Sequence, residues 1–261
     1  MAARTPTTIT LFAALAASLL LPLAAQAEED SMATDRPDVV ESSNVVGKGR
    51  FQIETSFASE SNKVAGVKTT TRTTPTLLRY GLTENTELRL ETDGFIRDGQ
   101  DHGFADVAIG LKWHTQDGDE ATGRPSVGWL FHADLDSGSS AFRGHGVRPS
   151  VRAVAEWEFP QDWSLGVMPG VLSDTNDTGE RFVAGSLAVV VGKAWTDEFR
   201  TFAEVAGHQL TSAKNGGSVI TYDVGMAYLI TPTMQVDTAV SFGANDHTPD
   251  RQWTVGFSIK F

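Results

Sequence analysis

The stretch that decides the fold is RQWTVGFSIKF, residues 251–261. Trp253, Val255, Phe257, Ile259 and Phe261 are apolar, and Gln252, Thr254, Gly256, Ser258 and Lys260 alternate with them. Period two marks a strand with one apolar and one polar face. Chain ends are ordinarily polar and frayed. Here the alternation runs to a terminal Phe, so the last strand is expected to bury one face and to have a partner along its edge.

The pattern recurs upstream. Residues 50–60 set Phe51, Ile53, Thr55 and Phe57 against Gln52, Glu54 and Ser56. Residues 86–93, 104–114, 125–136 and 147–159 alternate in the same way. Weaker alternation extends the set to 71–80, 163–172, 199–208, 218–229 and 234–242, while 181–195 is apolar on both faces in its middle. With the final segment the spacing predicts twelve strands, and no helical periodicity of useful length competes with them. Short connections at 81–85, 160–162, 196–198 and 231–233 alternate with longer polar ones at 94–103, 137–146 and 173–180. The connection 116–124 is long where a short one belongs. Short turns at one end, longer loops at the other and an even strand count describe an all-β, antiparallel transmembrane barrel of about 12 strands.

The rest of the chain agrees with that class. Arg4, an apolar run over 9–23 and Ala25-Gln26-Ala27 read as a signal peptide over 1–27. Residues 28–49 then form an acidic, unpatterned segment, and 50–261 the barrel. The 261 residues include no Cys, so disulfides and thiolate metal sites are excluded. The formal net charge is −12, a poor basis for gripping phosphates, so nucleic acid is not an expected partner. A soluble β-sandwich would also alternate. Its outward faces, however, would not carry Arg and Glu in mid-strand opposite apolar faces ending in Tyr80, Trp113, Trp157, Trp163, Tyr228 and Phe261, the aromatic girdle of a bilayer-spanning wall. The expected location is the outer membrane of a Gram-negative bacterium, with its lipid as a partner.

Several stretches together resemble the outer-membrane transporter family named for the meta-cleavage pathway of phenol degradation. They are Thr34-Asp-Arg-Pro37 followed by Gly49-Arg-Phe-Gln-Ile-Glu54; Leu78-Arg-Tyr-Gly-Leu82 with Glu87-Leu-Arg-Leu90; Gly103-Phe-Ala-Asp106 with Gly110-Leu-Lys112; and Gly256-Phe-Ser-Ile-Lys-Phe261. The resemblance spans the chain from about Thr34 onward. It implies a barrel with a transport role and brings no catalytic residues. The ending also resembles the C-terminal recognition strand of bacterial outer-membrane proteins, which implies the barrel-assembly machinery as a partner through Phe261.

The polar strand faces define the candidate site. Glu54, Arg89, Asp106, Lys112, Arg148, Arg152, Glu156, Glu204 and Asp223 are expected to line a lumen, joined by Arg79, Glu87, Glu91, Asp134, Asp237 and Lys260. Two roles are open to them: a charged constriction that selects solutes, or an Arg–carboxylate network that braces the wall and partly plugs it. Residues 28–49 are likewise open between a disordered periplasmic tail and a segment folded into the lumen, with Asp35 and Arg36 paired to wall charges. The six His lack metal-ligand spacing, no G-x-S-x-G is present, and neither a catalytic set nor a cofactor is expected. The function read from the residues and the resemblance is a channel passing small solutes, hydrophobic or aromatic ones among them, by facilitated diffusion. The alternatives are a structural or adhesive surface barrel and, behind it, a lipid-modifying enzyme.

Overall fold

A computed structural model describes residues 31–261 apart from Ala65 and Asp177; the signal peptide expected over 1–27 lies outside the described residues. The described residues form twelve antiparallel strands, each paired with the next in sequence. They are β1 (Phe51–Val64), β2 (Val67–Thr73 and Thr76–Thr83), β3 (Thr86–Thr92 and Phe95–Asp98), β4 (Asp101–Phe104 and Val107–Gln116), β5 (Ser126–Asp134), β6 (Arg148–Phe159), β7 (Trp163–Thr175), β8 (Arg181–Ala194), β9 (Phe199–Leu210), β10 (Val219–Thr231), β11 (Met234–Gly243) and β12 (Arg251–Lys260). β12 returns to pair with β1, from Gln52 opposite Lys260 to Ser61 opposite Arg251, so the sheet closes. Closure satisfies every strand edge, the condition for a sheet to stand in hydrocarbon.

The terminal Phe sits at this seam. Phe261 N–H donates to the Phe51 carbonyl at 2.8 Å, and its ring stacks on that of Phe51 at 6.4 Å. The apolar face therefore continues across the closing edge. Leu88, Leu90, Ile109, Val224 and Val255 are exposed on the outer surface. Tyr80, Trp113, Trp163, Tyr228 and Phe261 ring its periplasmic end, and Phe57 packs on Trp253 near the other end, their centroids 5.5 Å apart. An apolar band between two aromatic belts is a lipid-facing wall.

One expected loop is strand instead. Residues 94–103 contribute Phe95–Asp98 and Asp101–Phe104, which pair with each other, and the first also pairs with Val67–Thr73. This hairpin rises above the apolar band, where both faces meet water. Period two has no reason to appear there. The connections after β1 and β3 are consequently tight tips, and the longer exterior loops begin only after β5. The three lower strands are interrupted side by side, at Thr74–Pro75, Asp93–Gly94 and Ala105–Asp106. Pro75 lacks a ladder N–H, which suits it to such a break. Gly94 has φ +67°, and a Cβ there would collide with the Thr74 carbonyl. The long connection after β4 contains a single 3-10 turn, Glu120–Thr122, capped by Asp119.

The phase of β8, undecided from its residues, is set by the structure. Ala184, Ala188 and Val190 point inward and are buried, while Val183, Leu187 and Val191 are exposed to the outside. The lumen is therefore not polar all round.

Candidate functional site: the strap-filled lumen

Residues 31–50 do not hang below the barrel. They run as a strap through its interior before entering β1. Met32 N–H begins the path on the Pro232 carbonyl at the β10–β11 turn, and Gly49 N–H ends it on the Gly81 carbonyl of β2. Between those points the strap has no regular secondary structure, so its amides need other acceptors. Wall carboxylates supply them. Asp35 N–H donates to Glu54 at 2.9 Å, Val39 and Val40 N–H to the two oxygens of Glu204 at 2.7 Å each, Ser43 N–H to Glu156 at 2.6 Å, and Val46 N–H to Glu87 at 2.9 Å.

Wall cations take the strap's side chains in the complementary arrangement. Asp35 receives Lys112 and Arg89, Asp38 receives Arg200 at 2.8 Å, and Glu41 receives Arg89 and, at 3.1 Å, Arg152. Arg79, fully buried, joins Glu54 at 2.9 Å to Glu87 at 2.8 Å and also donates to the carbonyls of Ala33 and Asn44. Arg79, Lys112 and Arg89 together surround the Asp35 carboxylate. Ion pairs this buried are stable only when each charge keeps its partners. Small inward residues leave room for the strap: a Cβ on Gly128 would strike the backbone of Ser43.

The β5–β9 side of the lumen also carries apolar residues. Val40 packs into a buried cluster with Leu130, Val154, Met168, Ala188, Val190 and Phe202. The strap is thus held by charge from β1–β4, β6 and β9, and on the β5–β9 side by apolar packing as well. Separate cavities remain around it. One of about 520 Å³ opens toward the exterior loops, and one of about 260 Å³ lies at the periplasmic turns between Glu156, Glu158, Asp197 and Arg200.

Seven of the nine site residues expected from the sequence meet in this lumen: Glu54, Arg89, Lys112, Arg152, Glu156, Glu204 and Asp223. The other two stand apart. Asp106 accepts from the N–H groups of Ser137, Gly138 and Gly144, and from Arg148 at 2.7 Å. Arg148 also reaches Asp174 at 3.3 Å. These two clamp an exterior loop to the rim. Backbone donors and Arg148 outweigh partial burial and hold the Asp106 carboxyl below its ordinary value.

Asp38, Glu41 and Arg200 were missed as site residues, although the acidic spacing Asp35, Asp38, Glu41 and the shared parity of Arg200 with Glu204 were readable signals. The apolar lumen cluster was missed as well, because inward and outward apolar residues look alike in sequence. Three His reach the lumen. His132 accepts from Arg89 at 3.1 Å, His114 bonds the Ser43 carbonyl, and His208 bonds Thr221, whose hydroxyl donates to Asp223. That last chain puts the hydroxyl between carboxylate and imidazole, whereas a nucleophilic triad puts the imidazole in the middle.

A closed, even-stranded antiparallel barrel with a lipid-facing apolar band and a charged lumen is the fold of outer-membrane channels and porins. A family model described as "Putative MetA-pathway of phenol degradation" matches residues 34–261, and the chain belongs to that family. The COG4313 outer membrane channel from Pseudomonas putida F1 superposes with a TM-score of 0.62 at 10% identity, covering 84% of this chain and 98% of that one. The KdgM porin in complex with disordered oligogalacturonate gives 0.55 at 12% identity, over 80% and 99%. The NanC porin gives 0.55 at 11%, over 81% and 100%. At these identities the likeness is one of fold. No curated protein matches the sequence.

Proposed function

We propose that the protein is a strap-gated channel that passes small solutes, hydrophobic or aromatic ones among them, across the outer membrane by facilitated diffusion. The observation that carries this reading is the seat of the strap. The strap is held by ion pairs and by amide–carboxylate bonds, which water can replace. It also covers an apolar lumen stripe, Leu130, Val154, Met168, Val190 and Phe202, along which a ring could slide once Val39 and Val40 withdraw. A wall that served only as a scaffold or an adhesin would not need such a stripe beneath a removable cover. The engaged lumen His and the porin and channel neighbours favour a non-catalytic role.

The test is planar-bilayer recording of the purified full-length protein. Small, infrequent conductance steps are expected, with larger ones when Asp38 and Glu41 are both replaced by Ala. Absence of any step from both proteins, with the barrel folded, would refute a channel.

A further inference from the structure

We propose that the exterior cavity above the strap is a recruitment site for small ammonium-bearing organic molecules, and that it disfavours anions. This rests on the channel reading and narrows its solute class. The cavity of about 520 Å³ lies between the strap tip at Pro37 and Val39 and the outer ends of β1, β9, β10, β11 and β12. Its size suits a molecule with one ring. Glu60 and Asp223 line it, and no Lys or Arg does. Arg152, which borders His208 on a neighbouring cavity, is engaged by Glu41.

The decisive group is Asp223. It is 4% exposed, and its Oδ2 accepts from Thr221 at 2.8 Å, while its Oδ1 has no hydrogen-bond partner among the described residues. Thr254 Oγ1 on the same wall is likewise buried and without a protein partner. A buried carboxylate oxygen with open acceptor capacity calls for a donor, best a charged one. Ser241, Gln252 and Asn62 offer further polar contacts, and Val39 and Ala239 give the cavity an apolar floor for a carbon skeleton.

The second cavity beside the strap tip makes the contrast. It measures about 190 Å³ and is lined by Arg36, Arg89 and Arg152 together with Asp35, Asp38, Glu41 and Glu91, so its carboxylates face three guanidiniums. The carboxylates of the larger cavity face no Lys or Arg, and its basic groups are the imidazoles of His208 and His247. A ring bearing an ammonium can place its nitrogen on Asp223 and its ring over Val39. A carboxylate of the same shape would meet two acids instead.

The experiment compares three probes of one shape, benzylammonium, benzyl alcohol and benzoate, by calorimetric titration of the detergent-solubilised full-length protein. Benzylammonium is expected to bind about tenfold more tightly than benzyl alcohol, equivalent to about 1.4 kcal/mol, with benzoate weakest. Asp223→Asn should reduce the ammonium preference to near parity, and Glu60→Gln should reduce it in part, with both variants keeping the heat-modifiable mobility of a folded barrel. Equal binding of the three probes, tighter binding of benzoate, or an ammonium preference that survives both substitutions would overturn the proposal. Charge-selective binding without conductance steps would instead refute the channel and leave the site standing.

Discussion

Lys112 Nζ lies 2.7 Å from one carboxylate oxygen of Asp35 and 2.8 Å from the other, and its third donor reaches the Ser42 carbonyl at 2.7 Å. A wall lysine thus ties two points of the strap seven residues apart. Arg89 and Arg79 close on the same carboxylate at the Oδ2 side. We predict that Asp35→Ala unseats the strap. Three buried cations would lose their shared counter-charge, and leaving such a group unpaired costs about 3–5 kcal/mol when it stays dry. Hydration of the lumen relieves that cost only if the strap moves. Mean single-channel conductance should rise several-fold while the barrel remains heat-modifiable. Wild-type conductance from a folded Asp35→Ala barrel would show that the strap is not the gate.

The phase of β12 can be tested with one charge in two places. Phe257 faces lipid midway between the Phe51–Phe261 and Phe57–Trp253 aromatic pairs, whereas Thr254 lines the exterior cavity. Arg at a lipid-facing midplane position costs up to about 2–4 kcal/mol. We predict that Phe257→Arg assembles poorly and that Thr254→Arg still yields a folded barrel. Ser258 would be a worse inward control, because it is fully buried. Equal yields of the two Arg variants on a heat-modifiability gel would contradict the assigned faces.

The exterior clamp gives a pH prediction. Asp106 is held below its ordinary value, so the folded rim favours its ionised form. Its contribution is complete above the unfolded value, about pH 4, and is lost as pH falls below that through the folded value. We predict that the loop over residues 137–144 stays protected from protease from pH 7 down to about pH 5, and loosens only in stronger acid. Asp106→Asn should be loose throughout. Loosening of the parent protein between pH 7 and pH 5 would contradict the clamp.

What could be read from the sequence followed from how each part is solvated. Strands between lipid and lumen must alternate, so β1, β4, β6 and β12 announced both their existence and their phase. Where both faces meet water, as at Phe95–Asp98, that constraint disappears and a strand resembled a loop. Where both faces are apolar, as in β8, the phase vanished for the opposite reason. The strap was harder still. Its amides are satisfied by Glu204, Glu156 and Glu87, over forty to more than a hundred residues away in the chain, and nothing local records such partners. Asp106 and Arg148 shared the lumen parity of their strands, but parity says nothing about height, and they lie at the rim.

The strap also bears on how the barrel is built. It is continuous with β1, one of the two strands that meet at the seam, and its partners are spread over β1 to β6, β9 and β11. An open sheet cannot bring Glu54, Glu156 and Glu204 around one segment at once. The strap can be fully bonded only inside a finished ring, and both its ends stand at the periplasmic turns, on Pro232 and Gly81. The strap therefore serves as an internal gauge of the ring. A ring with too few strands would crush it, and one with too many would leave its carboxylates short of their cations.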